Sequence, residues 1–441
     1  MCIYTKASIM EKINRKGYLD KAVSLIGDGQ IKIITGLRRS GKSYLLSHLL
    51  TDYLLENGVK KESITSFSLN KMRDSSFRNV IDLSEEIDRR VSTMPEGRKF
   101  IFIDEIQLCK DSINPANPTQ KLTFYDLLND YQGEDEFDVF VTGSNSHLLS
   151  KDIATDFRGK GEVIEMHPLS FKEFHEYKQR DVYTDYNEYF TFGGMPYAAS
   201  SCKSSEEKNR YLKNLFQETY LRDIKEHVNL EREDVLEQLI LDLCSSIGSF
   251  TNPSKIARLL KQTKGIAISD ETIAKYLTGC VDSFLFAEAK KYDIKGKNYF
   301  TYPSKYYVAD IGLRNCWLNL RQQEENHIMG NMIFNELISR GMKPDVGVME
   351  SFEKDANAKT IRKEREIDFV MNSPEGKYYI QSAFEISNSS KTEQETTSLK
   401  KLCDYRKKII VNKDTPKPYY DENGISHCSI YDFLLDDDIL K

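Results

Sequence analysis

The residues with the clearest chemical potential lie in the segment Gly36-Leu-Arg-Arg-Ser-Gly41-Lys42-Ser43. An apolar, β-branched run at residues 31–34 precedes it, and a segment with helical spacing follows. Strand, loop and helix in this order indicate a phosphate-binding loop, whose glycines let several backbone N–H groups point at one anion. We expect Lys42 to reach the β- and γ-phosphates of a nucleotide and the Ser43 hydroxyl to ligate Mg²⁺.

The predicted nucleotide contacts include the loop, its flanking residues and one residue of a later strand end. They are Gly36, Arg39, Ser40, Gly41, Lys42, Ser43, Tyr44 and Asn145. Lys42 is also a predicted catalytic residue, because it would contact the phosphates between which the bond breaks.

Two carboxylates follow four consecutive apolar residues in Lys99-Phe-Ile-Phe-Ile-Asp104-Glu105. Such a run predicts a strand that is buried on both faces, and open parallel sheets bind ligands at the carboxyl ends of their strands. We expect Asp104 to hold Mg²⁺ through water and Glu105 to orient and deprotonate the attacking water. The alternative is a buried strand that simply ends in acidic residues.

A further buried strand, from Phe137 to Thr142, ends in small polar residues. Ser144 or Asn145 would touch the γ-phosphate or the attacking water, although a plain turn explains the same residues. Arg158 and Lys160 are candidate cations for the transition state, with an exposed surface position as the alternative. The segments from Pro168 to residue 225 have mostly helical spacing, with a break at Gly193-Gly194, and we interpret them as a lid over the nucleotide.

Residues 226–300 predict helix, turn, helix and then two strands, which is the order of a winged helix. The basic residues that would contact phosphates are Lys255, Arg258, Lys261, Lys264, Lys290, Lys291, Lys295 and Lys297. The recognition helix itself begins with Asp270 and Glu271, which suits base reading poorly. DNA contact and protein docking therefore both remain open for this domain.

Residues 301–441 predict a separate α/β domain. Glu336 on a helix and Asp368 on a strand match part of the pattern of metal-dependent nucleases, in which acids bind Mg²⁺ and a lysine steadies the attacking water. The third element reads Gln381-Ser-Ala383, so one acid and the lysine are missing. We predict that this domain does not cut nucleic acid; alternatively, Glu336 and Asp368 are polar groups of the fold.

Composition and net charge argue against several classes of protein. The net charge of -6 argues against a globally basic nucleic-acid coat, and the 8 cysteines include no CxxC pair, which argues against zinc and suits a reducing compartment. No apolar run approaches the roughly 18 residues of a membrane helix. The first residues do not form a signal peptide. We expect a cytoplasmic protein that does not cross a membrane.

Taken together, these motifs resemble the bacterial and archaeal AAA-type P-loop ATPases that carry an uncharacterised C-terminal domain. The resemblance rests on Thr35-Gly-Leu-Arg-Arg-Ser-Gly-Lys-Ser, Phe102-Ile-Asp-Glu-Ile-Gln, Thr142-Gly-Ser-Asn, Pro168-Leu-Ser-Phe-Lys-Glu-Phe, Phe192-Gly-Gly-Met-Pro and Glu366-Ile-Asp-Phe-Val. It implies an AAA-like core, a winged helix and a PD-(D/E)xK-nuclease-like fold, with ATP and Mg²⁺ as ligands. That family often has Gly-Arg where this chain has Gly159-Lys160, so Arg158 becomes the candidate arginine.

The predicted fold class is therefore α/β in three parts: an AAA-like core with a helical lid (1–225), a winged-helix domain (226–300) and a nuclease-like α/β domain (301–441). The predicted function is Mg²⁺-dependent ATP hydrolysis that drives or gates the other two parts, with double-stranded DNA as the expected substrate. The alternative is a slow nucleotide-gated switch that docks a protein partner. Assembly into a homo-oligomer is also compatible with the sequence. The preference for adenine rests on the resemblance, because no Asn-Lys-x-Asp motif for guanine follows the acidic strand.

Overall fold

The computed structural model describes residues 12–144, 161–221, 223–225, 232–322, 324–354, 360–373, 376–384, 397–402 and 406–440. The chain divides into two compact units. The first comprises Met1–Pro168 with Asp282–Phe284, and the second comprises Leu169–Val281 with Leu285–Lys441.

The first unit is built on a parallel sheet. Its strands are β1 (Ile31–Gly36), β2 (Ile64–Ser68), β3 (Lys99–Asp104), β6 (Phe137–Thr142) and β7 (Gly161–Met166), and a separate hairpin contains β4 (Ser112–Asn114) and β5 (Asn117–Leu122). Its helices are α1 (Lys16–Ser24), α2 (Lys42–Tyr44, Leu45–Leu50 and Thr51–Glu56 in succession), α3 (Val80–Val91) and α4 (Phe124–Asn129). The strands predicted before Gly36, before Asp104 and from Phe137 to Thr142 are confirmed as β1, β3 and β6, whereas the β4–β5 hairpin had no counterpart in the sequence analysis.

The order of strands in this sheet is β2-β3-β6-β1-β7, and every pairing is parallel. Because β6 lies between β1 and β3, the carboxyl end of β6 separates the loop after β1 from the acidic pair after β3. This edge of an open parallel sheet is where its ligands bind. The topology thus brings three of the predicted motifs to one place.

The central strands are mostly apolar because both faces of the sheet are covered. Alternate residues of β1 enter different cores: Ile31 and Ile33 pack in one, and Ile34 packs in the other with Phe102. Lys32 faces the second side, where it is fully buried and forms an ion pair of 2.6 Å with the equally buried Asp138 of β6. Asp28 lies 2.7 Å from the same ammonium group and Arg98 lies 2.8 Å from Asp138, so each charge of the pair has a second partner.

Helix α2 differs from the plain helix that its spacing predicts. Residues Leu45–Leu50 adopt the wider π-helical turn. The Thr51 hydroxyl donates a hydrogen bond of 2.7 Å to the carbonyl of Leu46, five residues earlier. Side-chain hydroxyls that bond to preceding carbonyls are a known cause of local helix distortion.

The second unit begins with helices and continues into a large mixed sheet. Its helices are α5 (Phe171–Lys178), α6 (Val182–Phe192), α7 (Pro196–Ser200), α8 (Ser205–Leu215), α9 (Glu233–Ser245), α10 (Pro253–Lys264), α11 (Asp270–Asp282), α12 (Ile311–Trp317), α13 (Glu325–Ser339) and α14 (Ile430–Leu435). Its strands are β8 (Phe250–Thr251), β9 (Phe286–Asp293), β10 (Asn298–Val308), β11 (Asp345–Lys354), β12 (Thr360–Ser373), β13 (Gly376–Ser382), β14 (Lys407–Asn412), β15 (Tyr419–Tyr420) and β16 (Ser426–Ser429).

The sheet order is β15-β16-β14-β13-β12-β11-β9-β10-β8. The predicted helices at residues 235–282 and the two strands after them are confirmed as α9, α10, α11, β9 and β10. Strand β10 runs across the predicted boundary at residue 300, and β9 pairs in parallel with β11. The two strands expected in a winged-helix domain are therefore part of the same sheet as the strands expected in the nuclease-like domain.

The Gly193-Gly194 break has a packing reason. The Gly194 N–H donates a hydrogen bond of 2.7 Å to the Asp310 carboxylate, and a Cβ at Gly194 would overlap the carbonyl oxygen of Leu169. The same carboxylate accepts from the N–H of Leu313 at 3.0 Å, where it caps α12. Asp310 therefore joins the end of α6 to the start of α12 in the second unit.

Within the described residues, no helix is both long and apolar enough to cross a membrane.

Burial raises the pKa of Asp310 to about 6, although backbone N–H groups stabilise its charged form. A folded-state pKa above the unfolded value means that stability is lost as pH rises between the two values. Compared with Asp310→Asn, which cannot ionise, the wild-type protein should therefore lose about 2 kcal/mol of unfolding free energy between about pH 4.5 and 7. Urea unfolding of both proteins at several pH values measures this difference; a constant difference would contradict the prediction.

Candidate nucleotide-binding site

The loop between β1 and α2 has the backbone conformation of an anion-binding loop. Gly36 and Gly41 adopt positive φ angles of 124° and 109°, and Arg39, between them, is left-handed with φ of 64°. A Cβ at Gly36 would overlap the carbonyl oxygen of Met166 at the end of β7. Helix α2 begins at Lys42 directly after this loop, so the positive end of the helix dipole faces the loop.

Lys42 folds back over its own loop. Its buried ammonium group donates to the carbonyl oxygens of Gly36 at 2.9 Å and Leu37 at 3.0 Å. Carbonyl oxygens are weaker partners for an ammonium ion than phosphate oxygens are. The side chain is thus held within the loop, with its charge available to a phosphate group.

Three side chains meet where β1, β3 and β6 end. The hydroxyl of Ser43 donates to Asp104 Oδ1 at 2.8 Å, and the hydroxyl of Thr142 donates to the same oxygen at 2.6 Å. Ser43 is exposed, whereas Asp104 and Thr142 are buried. We call these three residues the hydroxyl–carboxylate junction. A hydroxyl and a carboxylate side by side are the type of oxygen ligand that Mg²⁺ prefers.

Glu105 is held by a second set of contacts. It adopts a left-handed conformation with φ of 60°, and its N–H donates to the Thr142 hydroxyl at 2.9 Å. Its carboxylate accepts from Ser144 at 3.3 Å and from Gln107. A left-handed conformation is costly for a residue with a side chain and is common at functional sites. Thr142 therefore orients both members of the acidic pair.

Arg15 holds the loop in place through a hydrogen bond to its backbone. Its buried guanidinium donates to the carbonyl of Ser40 at 3.0 Å and to the carbonyl of His167 at 2.9 Å, and it lies 4.6 Å from the centre of the Tyr18 ring. Burial, together with the charge of Arg15, lowers the pKa of His167 to about 4. Arg15 thus ties the loop to the end of β7 in the first unit.

Two buried hydroxyl groups beside the loop, Thr35 Oγ1 and Ser40 Oγ, have no hydrogen-bond partner. Unpaired buried polar atoms are rare in native proteins and indicate a missing partner. Together with the ammonium group of Lys42 and the oxygens of the junction, they are of the right chemistry for a nucleotide phosphate and Mg²⁺. The residues present therefore fit both groups.

The predicted site residues lie as follows. At the edge of the sheet where the parallel strands have their carboxyl ends, the structure brings together Gly36, Ser40, Gly41, Lys42, Ser43, Asp104 and Glu105. Arg39 is exposed on the loop, and Tyr44 stacks on His48 with 4.9 Å between ring centres. Asn145, Arg158 and Lys160 lie outside the described residues.

Two residues were not predicted to act at this site. Thr142 was named only as part of a polar strand end, and Arg15 was not singled out. The hydroxyl at the last position of a buried strand was the available signal for Thr142. Arg15 had no signal, because its contact with the loop joins positions far apart in the chain.

Glu336 and Asp368, the two acids of the second predicted cluster, have different partners in the structure. Glu336 forms a buried ion pair of 2.7 Å with Arg340, and burial raises its pKa. Asp368 instead accepts from Gln381 at 2.8 Å and from the N–H of Ser382 at 3.0 Å, and it lies 3.7 Å from Lys305. The alternative interpretation, polar groups of the fold, accounts for these contacts. Among the described residues, no group of three His, Cys, Asp or Glu side chains is arranged to hold a metal ion.

Comparison with known proteins shows which family this chain belongs to. Residues 28–175 match the model described as AAA domain, and residues 183–324 match a domain of unknown function (DUF8612). An uncharacterized protein of Haemophilus influenzae is 31% identical over 431 residues, which is 96% of this chain and 98% of that protein. This chain belongs to the same family as that protein, and its residues 28–175 match the AAA domain.

Members of the family occur beyond bacteria. The uncharacterized protein MJ1544 of Methanocaldococcus jannaschii is 30% identical over 380 residues, which is 82% of this chain and 76% of that protein. The Walker-type ATPase PABY2304 of Pyrococcus abyssi aligns with a TM-score of 0.42 and 13% identity, over 72% of this chain and 99% of that chain. The match to the AAA domain confirms the predicted resemblance to AAA-type proteins, while the winged-helix and nuclease-like assignments stay predictions.

Thr142 offers a test of the junction. Replacing Thr142 by Val keeps its shape but removes the hydroxyl that serves Asp104 and Glu105. We expect the affinity for ATP in Mg²⁺ to fall by about tenfold, since a hydrogen bond to a charged group is lost, and the affinity in EDTA to change little. Titration of a fluorescent ATP analogue measures both, with Thr142→Ser as the control that restores the hydroxyl. Equal affinities of the Val variant and the wild type in Mg²⁺ would contradict this role.

Proposed function

We propose that this protein is a Mg²⁺-dependent ATPase of the AAA type. The observation that carries the proposal is the hydroxyl–carboxylate junction, in which Ser43 of the loop meets Asp104 at 2.8 Å while Thr142 connects Asp104 to Glu105. The loop and the acidic pair are far apart in the chain, yet the strand order brings them together. ATP as the nucleotide follows from membership of an AAA-domain family.

Each residue has a role in this proposal. The loop and the start of α2 bind the phosphates through backbone N–H groups, and Lys42 counters the charge of the β- and γ-phosphates. Arg39, Ser40 and Tyr44 complete the predicted contacts. Ser43 and Asp104 hold Mg²⁺, the latter through water; when bound, the ion neutralises negative charge on the phosphates.

Glu105 is the proposed catalytic base, which orients the attacking water and takes its proton. Its neighbour Ser144 shares a hydrogen bond with it, at the strand end from which Asn145 is proposed to reach the γ-phosphate. Arg158 is proposed as the cation that counters charge in the transition state. Supply of this arginine by a second copy would require a homo-oligomer.

The remainder of the chain supplies the proposed output. Hydrolysis in the core, with its lid at 1–225, moves the winged-helix domain at 226–300 and the inactive nuclease-like domain at 301–441. Double-stranded DNA is the proposed substrate of the winged helix. The lysines of α10 support this proposal, since Lys261 and Lys264 lie exposed on one helix.

A slow nucleotide-gated switch is the second candidate. The observation that favours it is the restraint of Glu105, whose carboxylate is already bound by both Gln107 and Ser144. If Glu105 must first break two hydrogen bonds before it can act as a base, ATP hydrolysis would be slow unless a docked protein releases this carboxylate. An ATPase rate that rises when a protein partner, rather than DNA, is added would support this candidate.

Lys42→Ala tests nucleotide binding. Removing the ammonium group should weaken ATP binding at least about tenfold, because a charge-assisted contact to phosphate is lost. Equilibrium dialysis with labelled ATP measures the change, and Lys61→Ala, an exposed lysine of the same unit, is the matched control. Unchanged ATP binding by the Lys42 variant would place the nucleotide elsewhere.

Glu105→Gln tests the catalytic base. The amide keeps the size of the side chain but cannot take a proton, so ATP binding should persist while phosphate release falls roughly 100-fold or more. The exposed Glu96→Gln is the control and should retain the wild-type rate. If the Glu105 variant also retained that rate, another group would have to be the base.

A further inference from the structure

A groove in the second unit is independent of the nucleotide site. It has a volume of about 810 Å³ and lies along the hairpin of β9 and β10, opposite the segment around Asp345 that begins β11. We call it the aromatic groove and define it by Tyr292, Tyr299, Phe300, Tyr302, Lys290 and Lys343. Its volume is within the range of ligand-binding clefts.

Three aromatic rings of the groove are exposed to solvent. Tyr299 is 59% exposed, Phe300 is 40% exposed and Tyr302 is 41% exposed. The pairing of β10 with β9 is interrupted between Tyr299 and Ser304, so the strand ladder does not cover this segment. Exposed apolar rings gathered on one short segment indicate a binding surface rather than a contribution to the core.

The rings are partly pre-positioned. The Tyr299 hydroxyl donates a hydrogen bond of 2.9 Å to Asp345, and its ring centre lies 5.0 Å from that of Tyr292. The ammonium group of Lys377 lies 5.0 Å from the centre of the Tyr292 ring. A ring that is already fixed loses little conformational entropy when a flat ligand stacks on it.

Charge indicates which ligand the groove suits. Lys290 and Lys343 line it and are exposed, and Lys297 is exposed at the hairpin turn. The acids that face the groove are Glu288 and Asp345, and Asp345 already accepts from the Tyr299 hydroxyl and from the N–H of Lys290. Exposed cations beside exposed rings complement a chain of flat, negatively charged units.

We propose that the aromatic groove binds single-stranded nucleic acid. Unpaired bases stack on Tyr299, Phe300 and Tyr302, while Lys290 and Lys343 contact the phosphates. A duplex keeps its base faces stacked inside the helix and cannot use the rings. This binding goes beyond the proposed ATPase and requires neither ATP nor hydrolysis. It assigns Lys290 of the predicted winged helix to a single strand, whereas a duplex would contact the lysines of α10.

The test is fluorescence anisotropy of labelled 12-nucleotide oligomers with the full-length protein. Oligo-dT and oligo-U separate DNA from RNA, and a 12-base-pair duplex is the competitor form. We expect a single strand to bind more tightly than the duplex. We also expect Tyr299→Ala/Phe300→Ala/Tyr302→Ala to weaken single-strand binding tenfold or more, because stacking contributes strongly for each base.

Tyr419→Ala/Tyr420→Ala is the matched control, since these exposed tyrosines lie on β15 at the opposite edge of the same sheet. Lys290→Gln/Lys343→Gln should weaken binding and reduce its dependence on salt. Binding should be unchanged in Lys42→Ala, so failure of the ATPase proposal would leave this one standing. Absence of single-strand binding, or no effect of the triple variant on it, would overturn the proposal.

Discussion

The hydrogen bond of 2.6 Å between Thr142 and Asp104 is the contact on which the site depends. Each of the three strand ends carries one part of the chemistry, and only the placement of β6 between β1 and β3 joins them. Thr142 donates to one acid and accepts from the N–H of the next, so it fixes the carboxylate of Asp104 and the strained backbone of Glu105 together. Without it, the part-buried N–H of Glu105 and the buried carboxylate of Asp104 would each lose a partner.

A buried carboxylate also connects separate segments in the second unit, where Asp310 accepts hydrogen bonds from the N–H groups of Gly194 and Leu313. In both units a buried carboxylate joins segments that are distant in the chain, and in the second unit Gly194 also allows a close backbone approach. The contrast lies in exposure. Ser43 opens the first cluster to solvent, whereas the contacts of Asp310 are closed and purely structural.

Sequence analysis succeeded where the pattern is local. The runs before Gly36 and after Lys99 predicted buried strands and are the parallel strands β1 and β3, and the loop glycines have positive φ angles. It failed where contacts join distant parts of the chain. The contacts of Arg15 with Ser40 and His167 form only in the folded protein. Strand β10 continues past the predicted domain boundary at residue 300 and belongs to the same sheet as the later strands. Glu336 and Asp368 looked like one cluster in the sequence, but each has different partners in the fold.

The measurement that tests the central claim most directly is the steady-state release of phosphate from ATP by the wild-type protein as Mg²⁺ is titrated into an EDTA-treated sample. If Ser43 and Asp104 hold the metal and Glu105 acts beside it, release should be absent in EDTA and should rise to a plateau with Mg²⁺. A rate that is the same with and without Mg²⁺, or no release at any Mg²⁺ concentration, would contradict a Mg²⁺-dependent ATPase.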